Sequence, residues 1–164
     1  MLPLEENYMN LIYKEIDATI EDAIATQYGS WVHDYNCLVR GDGCYLVAAL
    51  DGDMVAGFAA LHPAHWIAPL EQYSDGFIEV IEVAKSYQRK GIGSTLVKML
   101  EEFATSYGYY QIRAWSSDDK VEALNMWRKL NYCMCPAAML GESIRKGYES
   151  KQIVGYYYAK LLNK

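Results

Sequence analysis

The chain has 164 residues, of which 52% are apolar and 22% charged, so it can fill one core well but is short for two domains. Its net charge of −6 disfavours nucleic acid and anionic membrane as main partners, since both select basic surfaces. The composition excludes disorder, collagen-like repeats and a coiled coil, and no apolar stretch is long enough to span a bilayer. Glu5 and Glu6 lie where a signal peptide would carry basic residues, so we expect one cytoplasmic domain over residues 1–164.

The first half of the chain predicts a strand, two helices and a hairpin. Residues 11–16 can form a short strand, and Thr19 can cap a helix that Gly29 interrupts before a second helix running toward Val39. Strand-like runs over 44–50 and 54–61 flank an Asp-Gly turn. A loop rich in Pro and His then leads to a fourth strand over 77–84.

The second half predicts two helices and the remaining strands. After Gly93, apolar residues recur at three- and four-residue steps, which indicates an amphipathic helix that Gly108 ends. A strand over 110–115 follows, then a helix that Ser117 or Asp118 could cap, and a final strand over 153–162. The order β-α-α-β-β-β-α-β-α-β-β predicts a mixed α/β sheet with helices on it.

The four cysteines argue for reduced thiols. Cys37, Cys44, Cys133 and Cys135 contain no C-x-x-C pair. Cys133 and Cys135 would share one face of a strand, which could be read as half of a metal site, but no second pair lies near them in the sequence. We therefore expect reduced core thiols and no metal ion.

The segment that carries chemistry is the strand ending at Val83, the loop from Tyr87 to Gly93 and the helix after it. A strand that feeds a glycine-containing loop opening a helix suits phosphate binding, because backbone N–H groups point outward and the helix dipole adds positive potential. The P-loop pattern G-x-x-x-x-G-K-[ST] is absent, and a dinucleotide fingerprint would need a third glycine after Gly91 and Gly93. A P-loop enzyme and a Rossmann dehydrogenase are therefore disfavoured.

The remaining pattern, [Q/R]-x-x-G-x-[G/A] filled by Gln88, Gly91 and Gly93, resembles the GNAT superfamily of N-acetyltransferases. The resemblance extends to the Asp-Gly hairpin, to the strand ending Ile81-Glu82-Val83, and to residues 123–132, which look like the family's later A-x-x-x-[YF]-x-K-x-G-[FY] helix. It implies a mixed, mostly antiparallel sheet of six to seven strands with about four helices, splayed between strands four and five.

The resemblance implies that the acetyl group of acetyl-CoA is transferred by direct attack of a primary amine, which would be a small molecule, a peptide N-terminus or a lysine. The loop would hold the pyrophosphate, and the backbone of strand four would pair with the pantetheine arm as a false strand. The implied cofactor contacts are Ile81, Glu82, Val83, Gln88, Arg89, Lys90, Gly91, Ile92, Gly93, Ser94 and Trp127.

Two glutamates are candidates for the base that takes a proton from the attacking ammonium. Glu79 and Glu82 are an odd number of residues apart, so a regular strand puts them on opposite faces, with Glu79 on the face of Ile81 and Val83. The resemblance favours Glu79, whose position four residues before the strand-ending valine often carries a base or holds a relay water. A structural salt bridge is the alternative for Glu79, and an exposed or loop-bracing role is the alternative for Glu82.

One residue departs from the family pattern. Trp127 stands where many members have a Tyr that protonates the leaving thiolate, and an indole is no useful acid. Either the thiolate leaves without an acid, or Tyr132 or a residue of the Tyr156–Tyr158 run substitutes. The departure also leaves a second hypothesis, a non-catalytic acyl-CoA sensor or partner-binding module of the same fold.

The acceptor side stays open to several assignments. His62 and His65 could relay a proton or have no catalytic role. Three aromatic side chains could wall the acceptor or belong to the core: Trp31, Tyr35 and Trp66. We expect the block over 138–151 to cover the acceptor or form a dimer contact, and both a monomer and a homodimer fit the sequence.

Overall fold

The computed structural model describes residues 10–70, 72–140 and 152–162. Its strands are β1 (Ile12–Glu15), β2 (Tyr45–Asp51), β3 (Met54–His65), β4 (Ser74–Val83), β5 (Gln111–Ser117), β6 (Cys133–Leu140) and β7 (Gln152–Leu161). Its helices are α1 (Ala18–Tyr28), α2 (Trp31–Asp34), α3 (Ile92–Tyr107) and α4 (Val121–Lys129), with a 3₁₀ turn over Lys85–Tyr87. The structure confirms the predicted mixed α/β class and the predicted order of helices and strands. Over these residues, no helix has both the length and the apolar character that crossing a membrane requires.

The sheet has seven strands in the order β1-β2-β3-β4-β5-β7-β6. All neighbours are antiparallel except β4 and β5, which run parallel and pair only at Gly76 with Ile112 and at Phe77 with Arg113. Beyond Phe77 the two strands diverge, so within the described ranges no strand pairs there with the edge of β4 that faces β5. This confirms the splay predicted between strands four and five.

Two apolar cores lie on opposite faces of the sheet. In β2, Val47 belongs to one core and its neighbour Leu46 to the other, as alternation requires. The first core lies under α3 and α4 and includes Leu96 and Trp127. The second lies under α1 and α2 and includes Ile24. Helices therefore cover both faces of the sheet.

Three helix boundaries differ from the prediction. Asp17, not Thr19, caps α1, because its carboxylate accepts from the backbone N–H of Ile20 at 2.9 Å. The second helix is a single turn that stops well before Val39, since Asn36 adopts a positive φ of 52°. α4 starts at Val121 without a side-chain cap from the residue before it, so the predicted caps at Ser117 and Asp118 were wrong.

The Pro- and His-rich segment after Leu61 is not a loop at its start. β3 continues to His65, and His62 pairs with Phe77 while Pro63 pairs with Gly76. The pairing of β2 with β3 ends at Leu61, so the missing N–H of Pro63 faces an edge where no strand hydrogen bond is lost. The prediction of a loop was therefore wrong for residues 62–65.

All four cysteines are free thiols, as expected, but only Cys37 is buried in a core. Cys133 and Cys135 are exposed on β6, so their assignment to the core was wrong. Within the described ranges, no group of three or more His, Cys, Asp or Glu residues lies close enough together to hold a metal ion. The predicted role of the block over 138–151 falls largely on residues 141–151, which lie outside the described residues.

Candidate active site

A cleft of about 1200 Å³ opens where β4 and β5 diverge. Its two long walls are residues 77–83 of β4 and residues 114–117 of β5, and it extends from the start of α3 at one end to α2 at the other. The structure brings together every cofactor residue expected from the sequence except Lys90, whose ammonium lies over the Tyr87 ring, 5.4 Å from its centroid.

The end of the cleft at α3 has the features of an anion site. Arg89 and Gly91 both adopt positive φ values, 60° and 83°, which turn the chain sharply into α3. Gly91 is the residue before the helix and has no side chain to cap it, and the first turn of α3 contains no acidic residue. The unpaired N–H groups of that turn and the positive end of the helix dipole therefore face the cleft.

The two glycines of this loop serve different purposes. A β carbon on Gly91 would have nothing within 4 Å, so its absence leaves open space beside the helix start. A β carbon on Gly93 would lie 3.0 Å from the Sδ of Met126, so its absence lets α4 pack against the first turn of α3. Gln88 braces the loop from the other side, where its side-chain amide donates to the Val83 carbonyl oxygen at 3.0 Å.

A β-bulge at Glu79 interrupts the regular alternation of β4. Ala60 pairs with Val80 and Leu61 with Ile78, so Glu79 has no partner residue on β3. As a result Ile78 and Val80 belong to cores on opposite faces although they are two residues apart. The regular strand assumed for Glu79 and Glu82 is therefore wrong, and both glutamates line the cleft.

The two candidate bases have different surroundings. The Glu79 side chain is accessible to water, but the cleft walls crowd it, and this desolvation raises the pKa of its carboxyl above the ordinary value. Glu82 lies near α1, since it pairs with Phe58, whose ring contacts Tyr28 of that helix. Burial, with a smaller contribution from the Glu82 charge, raises the pKa of Tyr28 to about 12. A raised pKa suits Glu79 to accept a proton near neutral pH.

Trp127 occupies the inner wall of the cleft and is 1% exposed. Its ring stacks on Tyr158 with centroids 5.2 Å apart, and its indole N–H donates to the Ser116 hydroxyl at 3.3 Å. The candidate substitute acids do not reach the cleft, since neither Tyr132 nor the Tyr156–Tyr158 run belongs to its lining. The hydroxyl of Tyr132 instead donates to Glu101 at 2.9 Å.

The end of the cleft at α2 confirms two of the three aromatic candidates as lining residues. Trp31 and Tyr35 line it, whereas Trp66 lies elsewhere and donates its indole N–H to Asp75 at 3.1 Å. Two polar residues that the sequence did not single out, Asp34 and Asn36, lie beside them. Only an accurate position for the short α2 helix would have shown these two residues to face the cleft.

The predicted histidine relay is not assembled at the cleft. Neither His62 nor His65 belongs to the lining. The Nε2 atom of His62 is buried and has no hydrogen-bond partner among the described residues, and burial lowers the pKa of its ring.

Most of the chain matches a known protein family. Residues 10–132 match the model of the acetyltransferase (GNAT) family. A streptothricin acetyltransferase from Streptomyces lavendulae is 30% identical over 91 residues, which are 56% of this chain and 44% of that protein. The chain therefore matches less than half the length of this curated relative.

Solved structures share the fold across nearly the whole chain. An N-acetyltransferase from Staphylococcus aureus superposes with a TM-score of 0.71 at 17% identity, covering 94% of this chain and 99% of the other. NAA60 of Arabidopsis thaliana in complex with acetyl-CoA superposes with a TM-score of 0.68 at 11% identity, covering 94% and 99%. At these identities the likeness establishes the fold alone.

Proposed function

The chain belongs to the GNAT family of acetyltransferases, and on this basis we propose that it transfers the acetyl group of acetyl-CoA to a primary amine. The observation that carries the proposal is that one cleft brings together two stretches of backbone with hydrogen-bonding groups available to a ligand. Among the described residues, no side chain caps the first turn of α3, and no strand pairs with the edge of β4 that faces β5 beyond Phe77. A ligand with a pyrophosphate and an extended amide-containing arm satisfies both.

The residues at this cleft fit acetyl-CoA. Arg89 adds a cation beside the helix start, and the open space at Gly91 lets phosphate oxygens approach the backbone. The N–H and C=O groups of Ile81 and the N–H of Val83 would pair with the amides of the arm, whereas the Val83 carbonyl oxygen already accepts from Gln88. When bound, acetyl-CoA supplies an acetyl group activated as a thioester.

The acceptor amine would enter from the side of α2. Attack requires a neutral amine, and Glu79 is the group placed to take the proton, directly or through a water molecule. Trp31 and Tyr35 offer apolar walls, and Asp34 offers a carboxylate to a cationic acceptor. The proposed acceptor is a small-molecule amine, a peptide N-terminus or a lysine. The proposed location of the protein is the cytoplasm.

A second function, binding of an acyl-CoA without turnover, is favoured by one observation. Trp127 holds the position where many relatives carry a proton donor, and its N–H is already engaged with Ser116. Release of CoA thiol on addition of amines distinguishes the two functions. A binding protein would show the donor-induced stabilisation described next but no acceptor-dependent release of thiol.

Thermal unfolding with and without acetyl-CoA tests the donor site. Ligand at about a hundred times its dissociation constant adds roughly 2.7 kcal/mol, and at about 2–4 °C per kcal/mol we expect the unfolding midpoint to rise by roughly 5–11 °C. Replacing Gly91 with Leu should abolish the rise, because the side chain fills the phosphate approach.

Gly52→Leu is the matched control. Gly52 also has a positive φ, 60°, and a β carbon there would likewise meet nothing within 4 Å, but it lies in the hairpin turn. We expect a similar loss of intrinsic stability and an undiminished response to acetyl-CoA. If the wild-type protein shows no response at millimolar acetyl-CoA, the proposed function is wrong.

A further inference from the structure

Ser116 lies across the cleft from the catalytic stretch of β4. The last pair between the two strands joins Phe77 to Arg113. Beyond it, Glu79 is the second residue of β4, and Ser116 is the third residue of β5 on the opposite wall of the cleft. It therefore faces the segment that begins at the bulged Glu79. Both walls contribute to the cleft at this level.

The Trp127 indole fixes which way the Ser116 hydroxyl can donate. An indole N–H is a donor with no acceptor, so in their 3.3 Å contact the Ser116 oxygen must accept and its own proton must point elsewhere. Trp127 is almost fully buried and stacked on Tyr158, so the donor is held in place. Tyr158 is completely buried behind this contact, and its hydroxyl lies against the Ser116 hydroxyl as well. Burial raises the pKa of the phenol, so it stays protonated and can donate to the Ser116 oxygen, which leaves the Ser116 proton for the cleft.

We propose that the Ser116 hydroxyl donates a hydrogen bond to the CoA sulfur as it departs, with Trp127 as the residue that positions it. The inference rests on the proposed function and names the group that donates a hydrogen bond to the departing sulfur. In the reaction the acceptor ammonium first gives one proton to Glu79, which releases it to solvent. The lone pair of the neutral nitrogen then forms the C–N bond, and the second proton that the nitrogen loses passes to Glu79. The C–S bond breaks, and its electron pair goes to the sulfur.

Ser116 stabilises the thiolate without giving up its proton. An aliphatic alcohol is far less acidic than a thiol, whose ordinary pKa is about 8.5, so transfer to sulfur would be unfavourable. A hydrogen bond to a charged atom is nevertheless stronger than one between neutral groups. The thioester sulfur is uncharged and a weak acceptor, so the contact strengthens only as the bond breaks.

Titration of the thiol of bound CoA tests this without an acceptor amine. Thiolate formation is followed by ultraviolet absorbance as a difference between protein saturated with CoA and protein saturated with acetyl-CoA, which cancels the protein's own cysteines. We expect the wild-type protein to bind CoA with a lowered thiol pKa. Ser116→Ala should raise that pKa by about one unit or more, the effect of losing one hydrogen bond to a charged group.

Three further variants make the comparison specific. Ser116→Thr keeps the hydroxyl and should restore the lowered thiol pKa. Trp127→Phe keeps an aromatic ring but removes the indole N–H together with part of the buried ring system, so the shift should have the direction seen for Ser116→Ala and be smaller. Ser106→Ala is the control, because that hydroxyl donates to the Phe103 carbonyl oxygen outside the cleft lining, and it should leave the thiol pKa unchanged.

The outcomes separate the two proposals. Tight CoA binding with the same thiol pKa in wild-type protein and in Ser116→Ala would overturn the role of Ser116 and leave the proposed function standing. Failure of the wild-type protein to bind CoA would overturn the proposed function and this inference together. With an acceptor in hand, Ser116→Ala should lower kcat roughly tenfold to a hundredfold and leave the KM for acetyl-CoA unchanged.

Discussion

The buried carboxylate of Asp75 lies 2.7 Å from the Nε of Arg113, directly beside the two residue pairs that join β4 to β5. The same carboxylate accepts from the side-chain amide of Gln111 at 3.0 Å and from the indole of Trp66 at 3.1 Å. This network therefore closes the sheet at the point from which the cleft opens.

Replacing Asp75 with Asn should destabilise the protein substantially. The change removes the charge that Arg113 faces and leaves donors without an acceptor, which for a buried pair costs about 3 kcal/mol. At about 2–4 °C per kcal/mol we expect the unfolding midpoint to fall by roughly 6–12 °C. Asp22→Asn, at an exposed position of α1, is the control and should stay within about 0.5 kcal/mol of wild type. Equal midpoints for the two variants would show that the network contributes nothing.

Glu79→Gln should lower kcat/KM by about a hundredfold or more, the range for losing a general base. Burial raises the Glu79 pKa, so the wild-type carboxylate is lost as pH falls through a value above the ordinary 4.5, and activity should fall with it. Glutamine does not titrate, so the acidic limb of the pH–rate profile should disappear while acetyl-CoA binding is kept. Glu82→Gln is the matched control; if it alone flattens the profile, Glu82 is the base.

His62→Gln should remove part of the acid sensitivity of folding. Burial lowers the His62 pKa below the ordinary 6.5, so the unfolded chain binds this proton more readily than the folded protein. The contribution of neutral His62 to the free energy of unfolding is therefore complete above about pH 6.5, and it is lost as the pH falls toward the pKa of His62 in the folded protein. Unfolding midpoints measured across this interval should fall less steeply for the variant. His65→Gln, an exposed position on the same strand, should follow the wild-type slope.

Gly93→Val should destabilise the protein by about 1–3 kcal/mol, the usual cost of overpacking, because its side chain would meet Met126. Denaturant unfolding of Gly93→Val, Met126→Ala and the double variant forms a cycle. We expect the double variant to be more stable than the two separate losses predict. Simple additivity would mean that the contact between α3 and α4 does not set the requirement for glycine.

The sequence predicted features that depend on local chemistry. The Asp-Gly turn, the amphipathic period of α3 and the ending of that helix at Gly108 are each set by a few neighbouring residues. The order of elements and the position of the anion loop followed from them. These features predicted the half of the cleft that we propose binds the donor.

The rest depends on contacts between distant segments. The bulge at Glu79 is a mismatch in length between β3 and β4, which no pattern within β4 reveals. The contact between Ser116 and Trp127 forms only in the folded protein, so the sequence did not indicate a role for Ser116. The aromatic and acidic residues around α2 reach the cleft because that helix is one turn long, whereas the sequence indicated a longer one.

The two-pair junction between β4 and β5 has a consequence for the protein's motions as well as for binding. The seven strands form two smaller sheets, of four and three strands, joined by one short seam. Beyond that seam, the backbone amides of β4 that point away from β3 lack the protection that a neighbouring strand gives, so they should exchange with deuterium readily in the free protein. A bound donor would serve as the missing strand and slow their exchange, so that each catalytic cycle completes the sheet and opens it again.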